Sequence, residues 1–140
     1  MTSKKHRMIV YGGVAQGGAS LGDVWSLSLG PGTEAWTPVS PGGTAPAPRN
    51  SHTAIFDAPN QRMIVYGGIK GAGPTGDVLE LRLAPGFERW QTLVPTGTAP
   101  AARESHLAVF DPVNRRMIVH AGFVQFPSTP FTDSWVLDLP

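Results

Sequence analysis

Cysteine is missing from all 140 residues. Its absence excludes a disulfide framework, a thiolate nucleophile and a cysteine-ligated zinc site, and it removes the residue from which a redox compartment is read. An excess of charge of one sign is missing too, because 11 Lys and Arg balance 10 Asp and Glu to a net +1. The basic residues are scattered apart from Lys4, Lys5 and Arg7, so the footprint of a nucleic-acid binder is absent. No apolar run approaches the ~18 to 20 residues of a membrane helix. The apolar segment at 8–11 is shorter than a signal-peptide core. These absences predict no nucleic-acid partner, no membrane partner and, by default, a cytoplasmic location. No paired carboxylates stand out as a general acid and base.

Glycine and proline are plentiful, at 17 and 14 residues, yet 41% of the chain is hydrophobic and its apolar runs are strand-length. The glycines and prolines are therefore punctuation between strands rather than a mark of disorder. A length of 140 residues suits one domain. Residues 49–93 contain one complete unit of four short strands: 51–57 (SHTAIFD), 62–68 (RMIVYGG), 77–83 (DVLELRL) and 90–94 (WQTLV). Turns rich in Gly, Pro and Asn separate them without helical periodicity, which predicts an antiparallel meander.

The rest of the chain repeats this unit. RMIVYGG starts at Arg7 and at Arg62, and RMIVHAG starts at Arg116, giving offsets of 55 and 54. DVWSLSL, DVLELRL and DSWVLDL start at Asp23, Asp77 and Asp133. Trp36 and Trp90 are followed by GTAPAPR and GTAPAAR, and SHTAIFD and SHLAVFD start at Ser51 and Ser105. Several motifs at one spacing, with four strands per unit, mark a propeller blade.

The Gly-Gly pair after strand two, the Asp-Val-Trp start of strand three and the single Trp of strand four resemble the Kelch-repeat family, β-propellers that include the galactose oxidase central domain. The resemblance covers essentially the whole chain. It departs from the pattern at His120 and Ala121, which replace Tyr-Gly, and at Leu79, which replaces the strand-three Trp. It implies an all-β incomplete propeller of about two and a half blades: a partial blade at 7–40, a full blade at 49–95 and a partial blade at 103–140. The ten strands run 2-3-4, 1-2-3-4 and 1-2-3, so the first unit lacks its strand one and the last its strand four. Copper-radical chemistry of the galactose oxidase kind needs a cysteine crosslinked to a tyrosine. The chain has no cysteine and only Tyr11 and Tyr66.

Most repeated residues have a structural expectation. Strand two, apolar from Met63 to Tyr66, suits a sheet covered on both faces. Gly12-Gly13 and Gly67-Gly68 supply positive φ or close backbone approach. No helix follows them to make a phosphate loop. Asp57 with Arg62, and Asp111 with Arg116, are expected to bridge hairpin turns as partly exposed ion pairs worth ~0 to 1 kcal/mol. Trp36 and Trp90 are expected at equivalent, largely buried sites. Ser51-His52 and Ser105-His106 cannot be hydrolase dyads, because neighbours on a strand point to opposite faces. The expected role of each histidine is to tie to the next blade. The sharper alternative is a divalent metal held by His52 and His106 near the channel.

Function is expected where the copies differ, in the loops between strands two and three at 14–22, 69–76 and 123–132. These loops share a face with the connections that carry Arg49, Asn50, Arg103 and Glu104. On that face the resemblance implies binding. The third loop adds Phe123, Phe126 and Phe131, either as a contact surface or folded back over the last unit. The leading expectation is a non-enzymatic binding or scaffold module for a protein or peptide ligand, without cofactor, either a propeller fragment or a homo-oligomer, with a dimer slightly favoured over a trimer because three chains come close to the upper limit of ordinary blade counts. The alternatives are a metal-binding or enzymatic propeller that uses the histidines, and an engineered or truncated structural repeat without ligand.

Overall fold

The computed structural model describes residues 6–71, 73–124 and 129–140. The described residues form β-sheets, with no helix among them. One sheet holds Arg7–Val14, Ser20–Ser28 and Trp36–Val39. The central sheet holds Thr53–Asp57, Arg62–Tyr66, Val78–Arg82 and Arg89–Leu93, with Gly42–Gly43 added in parallel along its outermost strand. The third holds Leu107–Asp111, Arg116–His120 and Ser134–Asp138. Apart from Gly42–Gly43, neighbouring strands in all three are antiparallel and follow one another in chain order within their sheet, as a meander requires, with short two-residue strands only in the intervening loops.

The strands are shorter than their motifs for a local reason. Ser51 has φ 54°, so the innermost central strand starts only at Thr53. Gly67 and Gly68, at φ 67° and 88°, leave the extended region and end Arg62–Tyr66. The third copy makes the same turn with Ala121 at φ 61°, the position where its motif departs from Gly-Gly.

Alternation along the strands divides the core into two layers. Met63 and Val65 face the first sheet, where they join Tyr11, Val24, Leu79, Leu81 and Trp90. Ile64 and Tyr66, one residue out of phase, face the third sheet and pack with Ile55, Val78, Met117 and Val119. The whole of Arg62–Tyr66 is buried, the expected result for a strand covered on both faces.

Two expectations are corrected. Trp90 is 4% exposed, but Trp36 is 51% exposed, so the two are not equivalent in burial. Both lie on the side of their sheet that faces the preceding sheet. Trp90 has the first sheet there and sits 4.7 Å from the ring of Tyr11, whereas no described sheet precedes Trp36. The Asp57–Arg62 pair is buried rather than partly exposed: Arg62 Nε donates to Asp57 Oδ2 at 2.7 Å and Nη1 donates to Glu80 Oε2 at 2.8 Å. Its counterpart Arg116–Asp111, 2.9 Å apart, is more open because no described sheet covers it.

Candidate functional site

The connections between sheets meet the strand two-to-three loops on one face. Arg49–Asn50 pairs with Ile69–Lys70, which pairs in turn with Gly73–Pro74. In the third copy Glu104 and Phe123 exchange two backbone hydrogen bonds, at 3.0 and 2.9 Å. Neighbouring sheets are stitched here too. The Gly68 amide donates to the Arg103 carbonyl at 3.0 Å, and the Ser105 amide to the Ser51 carbonyl at 2.9 Å. A Cβ on Gly67 would lie 2.7 Å from the Arg103 carbonyl oxygen, so this approach needs glycine.

Arg49 and Arg103 lie beneath this face at 1% and 0% exposure. Arg49 donates to both carboxylate oxygens of Asp77, at 2.7 and 3.1 Å, and to the Gly67 carbonyl at 3.2 Å. Arg103 repeats the fork on Asp133, at 2.7 and 3.0 Å, and donates to the Ala121 carbonyl at 2.9 Å. Burial opposes ionisation of Asp77, but hydrogen bonds from Arg49, Lys70 and Thr75 outweigh it and hold its carboxyl well below the usual carboxylate range. Hydrogen bonds from Arg103 and Trp135 lower Asp133 in the same direction. The two guanidiniums therefore point inward and fix the loops to the start of strand three.

The residues left at the surface are different. Asn50 is partly buried and donates to Ser20 Oγ of the first sheet at 2.8 Å. Glu104 is partly buried, Phe123 is 41% exposed, and the ring of Phe131 lies 4.3 Å from the Arg103 guanidinium carbon, a cation–π stack. Phe131 thus folds back onto the framework while Phe123 stays at the surface. Phe126 lies outside the described residues. Sequence reasoning missed the pairing role of Asp77 and Asp133. The available signal was their recurrence 28 and 30 residues after Arg49 and Arg103.

The histidines belong to the contacts between sheets. His52 packs 5.2 Å from the ring of Tyr11, and His106 packs 5.1 Å from that of Tyr66. His106 Nε2 is also 2.7 Å from Thr53 Oγ1 on the innermost strand of the preceding sheet. Burial, then the charges of Arg103 and His52, push the His106 imidazole down to about 4. Burial, then Arg49, lowers His52. Both rings are neutral at pH 7, and among the described residues no group of three or more His, Cys, Asp or Glu is gathered for a metal ion. Ser51 Oγ donates to Asn50 Oδ1 at 2.9 Å, not to an imidazole.

Comparison with known proteins follows the same pattern. The KLHDC2/KLHL20/DRC7 Kelch-repeats domain matches residues 1–140. Host cell factor 1 of Homo sapiens is 38% identical over 66 residues, covering 47% of this chain and 3% of that protein. The serine/threonine-protein phosphatase BSL2 of Arabidopsis thaliana is 32% identical over 104 residues, 74% of this chain and 10% of that protein. Host cell factor 2 of Homo sapiens is 32% identical over 110 residues, 74% of this chain and 13% of its own length. The chain spans a small part of each relative. A family match along the whole chain, on sheets with this order and these repeated glycines, means that this chain belongs to the Kelch-repeat family.

Proposed function

We propose that the chain is a non-enzymatic protein-binding module whose contact face is built from Asn50, Glu104 and Phe123, with Phe131 folded back beneath it and the buried Arg49 and Arg103 holding it in shape. Kelch domains commonly mediate protein binding. The observation that carries the reading is the state of Phe123. Its backbone is fixed in both directions by Glu104 while its ring stays at the surface, so little order has to be gained when a partner covers it. Aromatic anchors on a rigid frame are the usual hot spots of protein interfaces.

Selection of displayed peptides on the immobilised 140-residue chain tests this. Phe123→Ala and Glu104→Ala are expected to weaken a selected peptide by roughly tenfold. A footprint confined to the opposite turns, 58–61 and 112–115, would contradict it. The metal alternative makes a different demand: stoichiometric metal in the purified protein, lost in a His52→Ala, His106→Ala double variant.

A second reading, self-association, is favoured by the end sheets. Met8, Val10, Trp25 and Trp36 are exposed on one outer side, and Leu107, Val109 and Val136 on the other. Contiguous apolar faces of this kind pack against further sheets, and a second copy provides them.

A further inference from the structure

The bridge that ties Glu104 to Phe123 differs from its counterpart one repeat earlier. There Asn50 stands opposite Ile69, whereas here Glu104 stands opposite Phe123. Both partners change together, from a neutral amide and an aliphatic side chain to a carboxylate and an aromatic ring. Residues directly opposite on antiparallel strands project to the same side with Cβ atoms ~5 Å apart, so the carboxylate and the ring are neighbours. That side is the outer one. Arg103, the residue before Glu104, is fully buried with Phe131 stacked on it, and successive side chains of an extended chain alternate.

The charges around Glu104 are taken. Arg49 and Lys70 are both held by Asp77, and Arg103 is held by Asp133. Asn50 is tied to the hydroxyl of Ser20, which pairs with Val14 in the first copy. In the central copy Ser20's place is filled by Pro74, which pairs with Ile69 and has no hydroxyl to offer. Among the described residues the Glu104 side chain accordingly makes no hydrogen bond or ion pair, although it is partly buried.

We propose, resting on the binding face described above, that Glu104 and Phe123 receive an arginine side chain of a protein partner, whose guanidinium forks onto the carboxylate and lies against the ring. A flat guanidinium can stack on an aromatic face while its edge donates two parallel hydrogen bonds to a carboxylate, whereas an ammonium is a compact, strongly hydrated point charge. The chain uses this combination once already, beneath the same face. Arg103 forks onto Asp133 at 2.7 and 3.0 Å, with the Phe131 ring 4.3 Å from its guanidinium carbon. An ion pair in open water contributes little, so the partial burial of Glu104 and the cover of the ring give the site its selectivity.

Pools of short displayed peptides, alike except for a central Arg, Lys, Gln or Glu and random elsewhere, are panned on the immobilised 140-residue chain. The arginine pool is expected to be retained roughly tenfold over the glutamine pool and severalfold over the lysine pool. Glu104→Gln keeps the shape and both backbone hydrogen bonds and should abolish that preference, and Glu104→Arg should transfer it to the glutamate pool. Phe123→Leu, which keeps an apolar contact without a ring face, should bring arginine down to the level of lysine. On the unmodified chain, N-acetylarginine amide should displace the retained peptides and its uncharged citrulline counterpart should not, which keeps the test independent of how the variants fold. Equal retention of the arginine and glutamine pools, an arginine preference that survives Glu104→Gln, or equal displacement by the two amides would overturn the arginine site while leaving the binding face to the Phe123→Ala test. Retention of no pool would overturn both.

Discussion

At the scale of single residues, the Arg–Asp forks decide how the loop face is held. Removing Arg49 leaves Asp77 with Lys70 and Thr75 only, and leaves the Gly67 carbonyl without its side-chain donor. Arg49→Ala should therefore cost about 3 kcal/mol of stability; urea unfolding measures it, and an unchanged midpoint would show the fork to be dispensable. His106 makes a prediction in pH. Its unfolded imidazole takes up a proton near 6.5 and its folded one near 4, so both are neutral above 6.5 and the full stability is present there. Between 6.5 and 4 the unfolded chain binds more protons, so stability falls as pH falls, by a total of about 3 kcal/mol that is fully lost below 4. Asp77 and Asp133, held well below the usual range, stay ionised throughout this window. His106→Gln should be less stable than the parent at pH 7 but should lose less between pH 7 and 4.5. Equal losses in the two proteins would refute the assignment.

At the scale of elements, the two strand-four tryptophans give a matched pair in different surroundings. Trp90→Ala empties a site enclosed by two sheets and should cost ~3 to 5 kcal/mol. Trp36→Ala removes a half-exposed ring and should stay within about 1 kcal/mol. Denaturant midpoints for the two variants test this, and equal losses would mean that the first sheet is covered in solution by something other than the described chain. The hairpin ion pairs follow the same logic. Asp57–Arg62 is enclosed between sheets and extended by Glu80, whereas Asp111–Arg116 is open to solvent. Arg62→Ala should consequently destabilise the protein more than Arg116→Ala, because it leaves the buried Asp57 without its cation and Glu80 with Arg82 alone.

At the scale of the whole molecule, the proposed self-association through the exposed apolar sides of the first and third sheets makes a prediction in solution. Light scattering on the 140-residue chain should give a mass that rises with concentration towards two copies. Val109→Glu, which places a charge on the outer side of the third sheet, should lower it. A folded, stable monomer at micromolar concentration would sink the association reading, while leaving the Phe123 face to its own test.

The sequence by itself determined the strands, their order and the family. Each strand is a local pattern of apolar alternation closed by Gly, Pro or Asn, and three copies of RMIV-type and Asp-initiated motifs at one spacing allow little besides stacked meanders. It also placed Arg49, Asn50, Arg103 and Glu104 on the same face as the variable loops, because that follows from strand direction alone. Tertiary structure decided burial and pairing. Trp36 and Trp90 are the same residue in the same motif, and the sheet packed against Trp90 is what separates them. Arg49 and Arg103 looked like anchors for a ligand until their forks on Asp77 and Asp133, about half a repeat away, turned them inward. A motif specifies its own backbone through short-range sterics, whereas burial of a side chain is set by whichever sheet lies across from it, and that neighbour is fixed by packing between copies distant in sequence.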